Sequence, residues 1–111
     1  MPVSATTKNL KGSAQKYRRV VNVIRGQRVE DALSRLALLP SPMAATVAKV
    51  VKSAAANAES NEMMDPRALR IVTAYADEGP RIRRFHAQAR GRVHRILKRR
   101  THITIVVDEE A

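Results

Sequence analysis

Apolar and polar positions alternate with two different periods along this chain, and the change of period divides it. From Ala14 the apolar residues Tyr17, Val20, Val21 and Ile24 recur at three- and four-residue spacing, which predicts an amphipathic helix. Gly12-Ser13 offers an N-cap before it, and Gly26 a stop just past its end. The opposite face carries Lys16, Arg18, Arg19 and Arg25. Val29, Ala32, Leu33 and Leu36 predict a second, short helix ending before Pro40. Ser41-Pro42 is an N-cap followed by proline at the first helical position. From there to about Ser60 runs the longest predicted helix, with Val47, Val50, Val51, Ala54 and Ala58 on one stripe. Asn61 to Pro66 is polar and predicted as loop.

The second half changes to a period of two. Leu69, Ile71, Thr73 and Tyr75 alternate with Arg70, Val72, Ala74 and Ala76, predicting a strand with one apolar and one mixed face. Ile103, Ile105 and Val107 alternate with Thr104 and Val106 in a second strand, and Val3, Ala5 and Thr7 give a weaker edge-strand signal. Asp77-Glu78-Gly79-Pro80 predicts a turn or hinge. Helices followed by strands imply an α+β fold with an antiparallel sheet. Tyr17 and Tyr75 both fall on apolar stripes and are expected in the core, with Met43, Met63 and Met64 filling gaps. Between the two strands the pattern leaves two structures open. Val93, Ile96 and Leu97 have helical spacing, whereas a turn near Gly91 would make a hairpin.

Charge is what changes this picture. A chain of 111 residues, 44% hydrophobic, suits one folded domain, but it carries a net charge of +11. The excess is segregated. Residues 1–28 hold seven Lys/Arg and no acid, residues 29–78 five bases and seven acids, and residues 81–100 nine bases and no acid. Cations packed this densely repel one another unless a polyanion neutralises them. Most of them are arginines, which fork onto phosphate oxygens and stack on bases. The candidate nucleic-acid contacts are therefore Arg81, Arg83, Arg84, Arg90, Arg92, Arg95, Lys98, Arg99 and Arg100 in the arm. Lys8, Lys11, Lys16, Arg18, Arg19, Arg25 and Arg28 form a second patch.

Other chemistries find no footing. The absence of cysteine excludes disulfides, thiolate catalysis and cysteine-based zinc sites. His86, His94 and His102 are evenly spaced, but no carboxylate lies between Pro80 and Val107 to complete a metal site. His102 is expected to pack at the base of the arm. Asp77 and Glu78 are adjacent carboxylates without a nucleophile or metal partner, so no catalytic site, cofactor or metal is expected. The start of the chain lacks a secretory signature, and no apolar run approaches membrane-spanning length. A basic DNA-binding protein, nucleoid or regulatory, is the alternative reading, though only Gly26 between two helices hints at a helix-turn-helix.

Four segments in register resemble a known family. Ser13-Ala14-Gln15-Lys16-Tyr17-Arg18-Arg19-Val20 with Ile24-Arg25-Gly26, then Ser53 to Glu59 with Asn61, then Asp77-Glu78-Gly79-Pro80, then Gly91-Arg92 with Arg95 to Arg99 and His102 to Val107, together look like bacterial large-subunit ribosomal protein family number twenty-two. The resemblance implies three helices packed on a small three-stranded antiparallel sheet, with two strands prolonged into a long protruding β-hairpin. It thereby favours the hairpin over the helix for the basic segment. The chain would be a single domain, with a body at about 1–79 and 101–111 and the hairpin at about 80–100. By the same resemblance the protein is a structural, non-enzymatic constituent of the cytoplasmic ribosome. It would bind several domains of 23S rRNA during assembly and sit beside other large-subunit proteins near the tunnel exit. The hairpin tip, Phe85, His86, Ala87, Gln88, Ala89, Arg90, Gly91 and Arg92, would line the exit tunnel and meet the nascent peptide. Neither membrane binding nor a homo-oligomer is expected. Ala87-Gln88 stand where the family commonly has Pro-Arg, and Val93 where it has alanine.

Overall fold

The computed structural model describes the backbone of residues 2–79, 82–87 and 93–109, and the side chains of residues 2–79 and 99–109. In chain order the elements are β1 (Val3–Lys11), α1 (Ala14–Ile24), α2 (Val29–Leu38), α3 (Pro42–Glu62), a short 3-10 turn at Pro66–Ala68, β2 (Leu69–Glu78), β3 (Ile82–Ala87), β4 (Val93–Lys98) and β5 (Arg100–Glu109). The main sheet has the order β1-β5-β2, all antiparallel, and β3 pairs with β4 as a separate two-stranded ladder. This is the α+β architecture that the alternation and the resemblance predicted.

The last strand in sequence becomes the central strand of the sheet because its alternation is the cleanest. Thr101, Ile103, Ile105 and Val107 are completely buried, while His102, Thr104, Val106 and Asp108 point to the other face. Burying an Ile or Val contributes roughly 1.5–3 kcal/mol. The helices cover the inner face: α1 packs over β2, α3 over β1 and β5, and α2 against α3. Ala44, Ala54 and Ala58 are buried on α3, and their small side chains let that long helix lie close to the sheet.

Several local expectations are corrected. α3 runs on through Asn61 and Glu62 and closes at Met63, which adopts a left-handed φ of 53°. The Met64 N–H then donates to the Ala58 carbonyl at 3.1 Å, so Met64 is buried against the helix end while Met63 stands in solvent rather than filling a gap. Ser13 occupies the N-cap position of α1, but its side chain makes no capping bond, unlike Ser41, whose Oγ accepts from the Met43 N–H at 3.3 Å. Tyr75 is 41% exposed instead of buried. The pairing of β2 with β5 slips between Ile71 and Thr73, and this bulge reverses the alternation. Leu69 and Ile71 face inward before it, Ala74 and Ala76 after it, and Thr73 and Tyr75 are turned outward.

The expected turn at Asp77-Glu78 is strand instead: these residues pair with His102 and Thr101. Beyond them β3 and β4 pair antiparallel from Ile82↔Lys98 to Ala87↔Val93, the two arms of a hairpin. Six paired residues at about 3.3 Å each make a ladder about 20 Å long. The turn near Gly91, the tip residues 88–92, and Pro80 and Arg81 lie outside the described residues.

Candidate nucleic-acid interface

The root of the hairpin is clamped by backbone from two other segments. The Arg99 carbonyl accepts from the Gly12 N–H at 3.3 Å, and the Arg100 carbonyl from the Gly79 N–H at 2.7 Å. Thr101, wholly buried, donates its Oγ hydrogen to the Gly12 carbonyl at 2.9 Å. Next to it, the Tyr17 hydroxyl donates to the Lys11 carbonyl at 2.8 Å, and burial raises that phenol above its ordinary pKa. Both glycines sit where a side chain would press on its neighbours. A Cβ on Gly79 would lie 3.0 Å from His102 Cε1 and 3.2 Å from the Arg100 carbonyl oxygen. Gly12 has φ 116° and close contacts to Met43 and Tyr17. His102 is indeed at the base of the arm, where its Nδ1 accepts from the Asn9 N–H at 3.1 Å.

The basic residues of α1 do not form one face. Arg18 and Arg25 lean over the outer edge of β2, which pairs with β5 on its other side alone. Arg18 Nε–H donates to the Ala76 carbonyl at 2.9 Å, and Arg25 reaches the Ala74 carbonyl through Nη2 at 2.6 Å and Nε at 3.1 Å. The backbone of the α1–α2 link caps the same edge lower down, with Gly26 N–H to the Ile71 carbonyl and Ile71 N–H to the Gln27 carbonyl. These bonds satisfy edge groups that would otherwise invite another strand. Lys16 and Arg19 emerge on a different side of α1, exposed, beside Val20 and Val23. Sequence reasoning gave the four cations one role because they share sign and helix. Nothing in their spacing set Arg18 and Arg25 apart, because the open edge of β2 that they cap exists only in the folded sheet.

Of the remaining candidates, Lys8 and Lys11 are exposed on β1, and Arg28 is exposed just before α2. Arg99 is exposed and Arg100 half-buried at the hairpin root. Arg83, Arg84 and Phe85 are backbone positions of β3, paired with Leu97, Ile96 and Arg95 of β4, while Lys98 pairs with Ile82. Their side chains, with those of His86 and Ala87, and residues Arg81, Gln88, Ala89, Arg90, Gly91 and Arg92, lie outside the described residues. The fold thus brings two basic strands together on one hydrogen-bonded root, close to the start of a basic helix. Among the described residues no cluster of His, Asp or Glu could hold a metal ion, and no helix is long and apolar enough to cross a membrane.

Comparison with known proteins agrees with this arrangement. Residues 5–108 match the family model described as ribosomal protein L22p/L17e. Proteins named large ribosomal subunit protein uL22 from three strains of Dehalococcoides mccartyi (195, BAV1 and CBDB1) are each 50% identical to this chain over 107 residues, covering 96% of it and 98% of the relative. A family match over residues 5–108, with relatives half identical across nearly the whole chain, shows that the chain belongs to the L22p/L17e family of ribosomal proteins.

Proposed function

We propose that this structural, non-enzymatic ribosomal protein binds 23S rRNA in the large subunit of the cytoplasmic ribosome and holds several RNA domains together during assembly. The observation that carries the reading is the acid-free segment 81–100, folded at least over 82–87 and 93–98 into two paired strands. The segment carries nine cations and no acid of its own, and RNA phosphates would supply counter-charge while releasing counterions. A two-stranded ribbon alone is marginal in water, so RNA on both sides would complete its stabilisation. The clamp at Gly12, Gly79 and Thr101 sets the direction in which the arm leaves the body.

On this reading the whole chain acts as one domain, the tip around residues 85–92 lines the exit tunnel where the nascent peptide passes, and neighbouring large-subunit proteins flank the body. Of the second basic patch, Lys8, Lys11, Lys16 and Arg19 add contacts at the surface of the RNA, while Arg18 and Arg25 are held by the β2 edge. The test is sedimentation of cell extract at moderate and then high salt, with each fraction probed for this chain. Retention with the large subunit at both, at about one copy per particle, is expected of an embedded hairpin. Release at high salt, or migration with DNA, would overturn it in favour of a peripheral or DNA-binding role.

A further inference from the structure

α1 and the link between α2 and α3 enclose a cleft of about 450 Å³, inside the range of roughly 300–1,000 Å³ typical of small-molecule sites. Val20, Val23, Leu39 and Met43 form its apolar lining, and Lys16 and Arg19 stand on its rim. Lys16, Arg19, Val20 and Val23 are spaced i, i+3, i+4 and i+7, so one face of α1 carries both the cations and part of the floor. This is a different face from the one bound to β2. Among the described residues no carboxylate lines the cleft. Prolines at 40 and 42 stiffen the opposite wall.

An apolar slot with two cations on one rim complements a flat ring that carries an anion. RNA presents such a group wherever a base is splayed out of a loop or bulge. A peptide lying in the slot would bury backbone amides against the apolar lining, at a cost. A base instead lays its faces on that lining and keeps its polar edge at the open mouth. We propose that this cleft receives one unstacked rRNA base, with Lys16 and Arg19 holding the adjacent phosphates; the inference rests on the rRNA-binding reading above.

The chain has no cysteine, so Pro42→Cys at the mouth provides a single attachment point for a benzophenone crosslinker. Leu38→Cys, at an 84% exposed position next in sequence to the lining residue Leu39, provides a second attachment should the first disturb α3. The labelled full-length protein is reconstituted into large subunits, and crosslinked nucleotides are mapped by primer extension. The expected result is a crosslink to one rRNA position, lost in the Lys16→Gln/Arg19→Gln background. That double variant should also lower the salt slope of rRNA binding by about 1.4, two contacts at about 0.7 each. Val23→Phe, which fills the floor without altering charge, should abolish the crosslink and leave the slope unchanged. Crosslinking to a neighbouring protein, persistence of the crosslink in Val23→Phe, or no RNA crosslink from particles that contain the chain would overturn the cleft proposal while sparing the rRNA-binding reading. Failure of the unlabelled wild-type chain to enter particles would overturn both.

Discussion

Arg25 and Arg19 offer a matched pair in which charge is held constant and architecture is not. Arg25→Gln and Arg19→Gln each remove one positive charge from α1 and keep most of the aliphatic stem, but only Arg25 is bonded to the sheet edge, twice, at 2.6 and 3.1 Å to the Ala74 carbonyl. Hydrogen bonds to charged groups contribute about 1.5–3 kcal/mol. Here both converge on one acceptor, and the guanidinium is exposed to water, so about 1 kcal/mol is the appropriate figure. In a folded unit of this size, 1 kcal/mol moves the thermal midpoint by roughly 4–8 °C. Thermal unfolding of the free proteins, followed by circular dichroism, should therefore lower the midpoint by that amount for Arg25→Gln and leave Arg19→Gln near wild type. Relief of repulsion within the basic patch acts in both variants and cancels in the comparison. Midpoints equal to within about 1 °C would refute the assignment of Arg25 to edge capping and return it to the RNA-facing set.

Three further outcomes follow from the same geometry. Thr101→Val keeps the shape of a wholly buried side chain but strands the Gly12 carbonyl, so denaturant unfolding should show a loss of about 1–3 kcal/mol; an unchanged midpoint and slope would mean that the carbonyl finds another partner. Replacing residues 82–98 by a tight Asn-Gly turn should preserve cooperative unfolding, because the core formed by the described residues lies in the body and is continuous without the arm, and a broad, non-cooperative melt would contradict this. The raised pKa of Tyr17 means that above about pH 10 the unfolded chain gives up its phenolic proton before the folded one does. Stability should then fall as pH climbs from the unfolded toward the folded pKa, and Tyr17→Phe should remove that part of the slope, measured by denaturant titration across alkaline pH.

Periodicity and charge order were enough to determine a great deal. The stripes of α1, α2 and α3 and the alternation of β5 are properties of residue spacing, and burial of Val21, Ile24, Val47, Val51, Ile103 and Ile105 follows from them directly. The acid-free arm is a property of composition alone, and with it the class of partner. What only the tertiary structure decided depends on groups that meet from distant parts of the chain. The bulge in β2 arises in its pairing with β5, and it turned Tyr75 out of a core that local alternation assigned it to. The division of the α1 cations between the β2 edge and the cleft required knowing which edge of the sheet was left unpaired. Thr101, a polar residue at full burial, is explained by a carbonyl 89 positions earlier. Spacing along one element encodes how that element divides water from core, whereas an open sheet edge or an unmatched carbonyl exists only once separate elements have packed, so residues that answer such a need carry no local signature.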